Sequence, residues 1–282
     1  PIYNEVKNNM GGIFVSPTSL TFNNVKVEKD DNATLTAVLT DDKGNIIGSN
    51  TPVTATVNGT SVDFVFNETT RKFTALYNET AVEGNYSVTG TYSRATNCNV
   101  TNGVLNVGHI PDFKDLQDIV DAASPNAVIY LNGTDYTAKP GQSEVIINKT
   151  LTIIGGSEND SSLRPTLDAK GKSRIFNIAS GVTVTLMNLT FINGNETSDG
   201  GAIYTDGDLF VNDCQFINTT ASDGGAINAN GCDVTIRDST FTNTIAGGMG
   251  GAIFSDEGIV TVTNSTFTNT KSERTGEFLG GG

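Results

Sequence analysis

Four decamers align column by column: VTLMNLTFIN (184–193), LFVNDCQFIN (209–218), VTIRDSTFTN (234–243) and VTVTNSTFTN (260–269). Their phenylalanines, Phe191, Phe216, Phe241 and Phe267, recur after 25, 25 and 26 residues. A period of about 20–50 residues is the signature of a solenoid, in which each unit buries its apolar face only against its neighbours. One unit here holds two or three strand-sized runs separated by turn residues, with no stretch long enough for a helix. Each unit is therefore predicted to be one coil of a parallel β-helix.

Each column then acquires a physical reading. Coils stack about 4.8 Å apart, so equivalent residues lie above one another. The Phe column points inward, and Leu186, Val211, Ile236 and Val262 fill the same interior. Asn193, Asn218, Asn243 and Asn269 mark a corner, because asparagine tolerates left-handed φ and stacked amides bond along the axis. Asn188, Asp213, Asp238 and Asn264 mark a second bend. Between the decamers run SDGGAIY (198–204), SDGGAIN (222–228) and GMGGAIF (248–254). The glycine pairs turn the chain into a strand whose Ile203, Ile227 and Ile253 face the core. Tyr204, Asn228 and Phe254 follow on the outward side and are the candidate ligand-facing strip.

Less regular coils precede these: AVIYLNG (127–133), EVIINKTLTIIGG (144–156) and SRIFNIASGVTVTL (173–186). Ahead of them, PDFKDLQDIVDAAS (111–124) places Phe113, Leu116, Ile119 and Val120 on one helical face, with Asp112 as N-cap. This helix is expected to cover the open end of the first coil. Residues 13–108 follow a different rhythm. ATLTAVLT (33–40), PVTATVNG (52–59), VDFVF (62–66), KFTALY (72–77) and NYSVTGTY (85–92) alternate apolar and polar at roughly ten-residue spacing, the pattern of a β-sandwich. DDKGN (41–45) reads as a turn with Gly44 at positive φ, calcium ligation being the alternative. The expected organisation is a leading segment, 1–12, an Ig-like β-sandwich, 13–108, and a right-handed parallel β-helix with an N-terminal capping helix, 109–282.

Composition agrees with an all-β chain of many corners: 39 threonines, 31 asparagines, 31 glycines and no tryptophan. The net charge of −14 argues against nucleic acid or an anionic membrane as partner. No apolar run reaches the ~20 residues of a membrane span. Thirteen N-x-S/T sequons point to a glycosylated, exported protein. The three cysteines, Cys98, Cys214 and Cys232, match no zinc pattern.

The 32–59 run resembles the Ig-like repeats strung along bacterial and archaeal surface adhesins. The series LTIIGG, PTLDAKGKSRIFNI and GGAI with F-x-N, spanning 111–282, resembles the β-helical adhesin-like proteins of methanogenic archaea. It is also similar to polymorphic repeat proteins of some bacterial outer membranes. The resemblance implies a cell-surface, extracellular location with the anchor outside this segment. It also implies attachment to glycans or surface proteins of other cells, and no shared catalytic residues.

Parallel β-helices also host polysaccharide lyases and hydrolases, so fold alone does not decide function. Asp199 and Asp223, aligned on adjacent coils, are the candidate pair for a cation such as calcium or for catalysis. The third copy carries Met249 in that column, and no Arg, Lys or His accompanies the pair in sequence. They are read as turn residues, and no catalytic residue or cofactor is assigned. Arg174 and Arg237 read as solvated, Cys214 as a buried thiol, and the sole histidine, His109, as part of the junction NVGHIPDF (106–113). A stalk displaying another module is a third reading. PIYNE (1–5) and FLGGG (278–282) read as interrupted repeats. The expectation is a piece of a longer chain, with unpaired strand edges and fraying concentrated at about 255–282.

Overall fold

The structure, a computed structural model, describes residues 6–7, 13–14, 18–48, 53–92 and 98–273. PIYNE, FLGGG and most of the leading segment lie outside the described residues. The chain divides into two units, Pro1–Ile110 and Pro111–Gly282. Among the described residues the only α-helix is Phe113–Ala122; everything else regular is β.

In the first unit each alternating run forms a strand, and the alternation becomes burial. Ala33–Thr40 buries Ala33, Leu35, Ala37 and Leu39 and turns the intervening residues outward. Val53–Val57 and Thr60–Asn67 form a hairpin around Asn58 and Gly59, both at positive φ (48° and 84°). Thr60–Asn67 changes partner along its length. Thr60–Phe64 pairs with Val53–Val57, and Val65–Asn67 with Lys72–Thr74. The segment 18–27 is split in the same way. Thr18–Phe22 pairs antiparallel with Ala33–Thr40, while Val25–Val27 runs parallel to Gly103–Val107. Phe22 and Phe64 meet edge-on within the shared core, with ring centroids 5.3 Å apart. At the start of Gly84–Thr91 the Tyr86 hydroxyl donates to the Val82 carbonyl at 2.8 Å.

The second unit is a β-solenoid of six coils. Its first face stacks Ala127–Tyr130, Leu151–Ile154, Thr183–Met187, Asp208–Asn212, Val234–Arg237 and Val260–Thr263. The second face carries the Phe column, and the third runs from Val145–Ile147 through Phe176–Ile178, Ile203–Thr205 and Ile227–Asn230 to Ile253–Asp256. All pairings between coils are parallel and in the register that the decamers predict: Phe191↔Phe216↔Phe241↔Phe267 and Leu186↔Val211↔Ile236↔Val262. Phe191, Phe216 and Phe241 are fully buried, each burial stabilising by about 1.5–3 kcal/mol. A fourth, short ladder, Thr220–Ala221, Ile245–Ala246 and Lys271–Ser272, lies between the second and third faces in chain order and was not anticipated.

The corners follow from backbone preference. Asn193, Asn218, Asn243 and Asn269 have φ of 52–55°, and Asn188, Asp213, Asp238 and Asn264 have φ of 49–55°. Asn and Asp tolerate this region because their short polar chains bond locally. The amides also bond up the axis: Asn243 Nδ2 donates to Asn218 Oδ1 at 3.0 Å, and Asn269 Nδ2 to Asn243 Oδ1 at 3.1 Å. The glycine pairs have two separate causes. Gly200, Gly224 and Gly250 take φ of 63–69°. A Cβ on any of these would also lie 2.2 Å from the carbonyl oxygen of the isoleucine three residues on, whereas their successors are constrained by crowding alone: a Cβ on Gly201 or Gly225 would lie 2.2 Å from the carbonyl oxygen of the equivalent glycine one coil on.

Asp112 caps the helix, accepting from the Lys114 and Asp115 amides, and Asp115 returns the bond to the Asp112 amide. Phe113, Leu116 and Val120 join the solenoid core. Ile119, expected beside them, is 37% exposed: it lies at the margin of the buried stripe. Gln117 bonds both the amide and the carbonyl of Ile146, and Lys149 Nζ donates to the Asp121 and Ala123 carbonyls at the helix end. In the sixth coil Val260, Val262 and Phe267 are 37–41% exposed, whereas their mates one coil back are fully buried.

Candidate functional site

Asp199 and Asp223 lie on adjacent coils, as their alignment requires, and are engaged by backbone. Asp199 Oδ1 accepts the Asp223 amide at 3.2 Å, and Asp223 Oδ1 accepts the Met249 amide of the next coil. Asp208 and Asp233 repeat the device on the first face, accepting the Asp233 and Ile259 amides at 3.1 and 3.0 Å. The Cys214 amide donates to Ser239 Oγ, and the Ser239 amide to Ser265 Oγ, both at 3.1 Å. These carboxylates and hydroxyls thus join one coil to the next. No group of three or more His, Cys, Asp or Glu residues among the described residues is arranged to hold a metal ion.

Arg174 corrects the sequence reading. It is not solvated: only 8% of its surface is exposed. Phe176 is level with Ile203, so Arg174 occupies the column that Gly201, Gly225 and Gly251 occupy in later coils. Its side chain reaches the SDGG corner of the next coil, with Nη2 2.6 Å from Ser198 Oγ and 3.7 Å from Glu196 Oε2. The guanidinium carbon lies 5.3 Å from the centre of the Tyr204 ring, a cation–π contact. Nε is buried without a hydrogen-bond partner. A basic group therefore stands one residue from Asp199. The signal for it in the sequence is the alignment of SRIF (173–176) with GGAI (200–203), not any residue near Asp199.

The strip Tyr204, Asn228 and Phe254 is in register on the third face, but it is not uniformly open. Asn228, expected to face a ligand, is only 3% exposed. It lies between two larger ring side chains, and its amide turns back towards the Asp223 carbonyl. Tyr204 is half-buried and donates to Asp206 Oδ1 at 3.0 Å; Asn230 bonds both groups. Burial, then the bond to Asp206, pushes the Tyr204 hydroxyl above its ordinary pKa. On the first face Val128, Tyr130 and Phe210 are 50%, 36% and 45% exposed.

The remaining candidates have plain environments. Burial pushes the Cys214 thiol up to about 12, a pKa at which it is no nucleophile. His109 Nδ1 lies 3.7 Å from Glu28 Oε2 within the first unit. Asp41 accepts from the Lys43 and Asn45 amides and from Asn45 Nδ2, closing the DDKGN turn with Gly44 at φ 80°. No helix among the described residues is long and apolar enough to cross a membrane. No protein-family model matches the chain, and no curated protein matches it significantly in sequence.

Proposed function

We propose that this chain is a non-catalytic segment of a cell-surface, adhesin-like protein that attaches to glycans or surface proteins of other cells. Its first unit is an Ig-like sandwich and its second a right-handed parallel β-helix capped at the first coil by the helix. The strand order supports the Ig-like part. Residues 18–22, 33–40, 72–77 and 65–67 adjoin in the order of the A, B, E and D strands, and 53–57, 84–91 and 103–107 in that of C, F and G. The Tyr86–Val82 bond is the tyrosine corner of that fold. Right-handedness rests on the rule that about 98% of parallel crossovers have that hand. The capping role rests on Gln117, which ties the helix to the strand edge at Ile146, and on Lys149, just beyond that strand, which donates to the carbonyls at the helix end.

One observation carries the functional reading: the carboxylates that chemistry would need are spent on joining coils, Asp199 on the Asp223 amide and Asp223 on the Met249 amide. An adhesive rod requires stiffness, and this is what those bonds supply. The test is attachment of the 282-residue chain to whole cells, scored alongside release of sugar fragments from acidic polysaccharides with and without calcium.

A second reading, a polysaccharide lyase or hydrolase, is favoured by Arg174, which bonds Ser198, the residue before Asp199. Fragment release by the wild type that Arg174→Met and Asp199→Asn/Asp223→Asn both abolish would establish the enzyme and end the adhesin reading. A stalk would do neither: it would leave cells unbound and polysaccharide intact.

A further inference from the structure

Over its first four coils the first face of the solenoid presents a surface with two aromatic rings and, among its strand residues, a single charge, Asp208, at its edge. Val128, Thr152, Thr185 and Phe210 form one outward column, and Tyr130 and Ile154 begin the next, which Met187 and Asn212 continue. None of these positions is charged, in a chain whose net charge is −14. Val128, Tyr130 and Phe210 project furthest, with Ile154 and Met187 half-buried between them. Depletion of charge together with Tyr, Phe and Met is the composition of a contact surface, not of a merely solvated face.

We propose that this face binds a neutral glycan chain laid along the solenoid axis. The inference rests on the adhesin reading and assigns its ligand and its face. Size decides between occupants. Four coils about 4.8 Å apart, with four-residue strands at about 3.3 Å per residue, cover on the order of 250 Å². A stable protein dimer needs about 800 Å² from each partner, so a second copy does not fit. Charge decides between glycans, because a strongly acidic protein repels an acidic polysaccharide. A neutral pyranose matches on both counts. Its C–H face, slightly positive, lies against the negative face of an aromatic ring. Thr152, Thr185 and Asn212 offer hydroxyl and amide partners to its hydroxyls. Tyr130 and Phe210 stand three coils apart, about 14 Å, the span of a short oligosaccharide.

The experiment is calorimetric titration of the full chain with the neutral hexasaccharides cellohexaose, xylohexaose and mannohexaose, and with hexagalacturonate as the acidic comparison. At least one neutral hexasaccharide is expected to bind. Tyr130→Ala/Phe210→Ala should weaken that binding at least tenfold, while Tyr204→Ala/Phe254→Ala on the third face should leave it within twofold. Thermal melting by circular dichroism establishes that both variants fold. Preference for hexagalacturonate, or loss of binding in the third-face variant alone, overturns the proposal. So does a sedimenting dimer that Tyr130→Ala/Phe210→Ala dissociates. Failure of every neutral hexasaccharide overturns it too. If the chain still attaches to cells in that case, the glycan assignment fails and the adhesin reading stands; if it does not, both fail.

Discussion

Phe216 and Phe241 lie with ring centroids 4.6 Å apart and planes 1° from parallel, one complete coil separating them in sequence. Phe191 and Phe267 extend the stack at 4.7 Å on either side. The spacing equals the strand separation of a sheet, so the rings are stacked by the backbone ladder and need no off-rotamer adjustment. Phe216→Ala should cost about 3–5 kcal/mol, because the neighbouring rings are held by their own coils and cannot close the cavity. Phe210→Ala, six residues earlier and facing outward, should cost less than about 0.5 kcal/mol. Urea unfolding followed by circular dichroism checks the pair; similar losses at both positions would contradict the register.

The glycine corners give a sharper contrast. An alanine at Gly225 places its Cβ 2.2 Å from the Gly251 carbonyl oxygen, against backbone that is itself paired. Gly231→Ala meets nothing within 4 Å and suffers only its φ of 65°. Gly231→Ala should cost about 1–2 kcal/mol, the left-handed penalty alone. Gly225→Ala should cost clearly more and shift hydrogen exchange in the neighbouring coils. Equal midpoints for the two variants would remove the close-packing explanation.

The Asn ladder separates two contributions to one corner. Asn243 has φ 54° and bonds amides on both sides. Asn243→Gly keeps the conformation and loses only the amide, whereas Asn243→Ala loses both. Alanine should therefore be worse than glycine by about 1 kcal/mol, and glycine worse than asparagine. A glycine variant as stable as the wild type would mean that the ladder contributes nothing.

Stability should respond to acid through Asp112. Burial pushes this carboxyl up, but hydrogen bonds from Gln142, Lys139 and the Asp115 amide prevail and hold it at about 2, below its ordinary 3.8. The folded state thus prefers the ionised form. Its contribution is complete above the ordinary value and disappears as pH falls from there through about 2. The ion pair with Lys139 Nζ, 3.1 Å away, is lost in the same interval. The pH dependence of the unfolding free energy over that window should be less steep in Asp112→Asn than in the wild type. An unchanged slope would show that the cap is not ionised as described.

What was legible in the sequence is whatever the repeat forces. Phe216 has to be inside and Asn218 at a corner, because every coil meets the same neighbours above and below. The fourth ladder was not legible: Thr220–Ala221 is two residues long, too short for alternation to register. Arg174 reads as solvated in the sequence because its coil has no glycine pair, so its place in the glycine column is visible only through the pairing of Phe176 with Ile203. Asn228 faces outward, as its column predicts, and is nevertheless covered, since exposure depends on the size of Tyr204 and Phe254 beside it. The exposed rings of the first face are invisible to the repeat for the opposite reason. Tyr130 and Phe210 occupy columns whose members change from coil to coil, and repeat alignment passes over such positions.

Bonding that runs only from one coil to the next has a bearing on how such a chain can change length through gene duplication. Excising one whole coil, 209–233 for example, brings Thr183–Met187 against Val234–Arg237, and Val184 and Leu186 then meet Val234 and Ile236 as they met Leu209 and Val211. Asn193 likewise meets Asn243 where it had met Asn218. Losing a single residue between Val211 and Phe216 is a different event: it inverts the strand, turns the ring to solvent and leaves a hole between Phe191 and Phe241. Unit-sized changes are therefore close to neutral and single-residue ones severe. A lineage can lengthen or shorten this rod in steps of about 25 residues while its grammar within each step stays rigid.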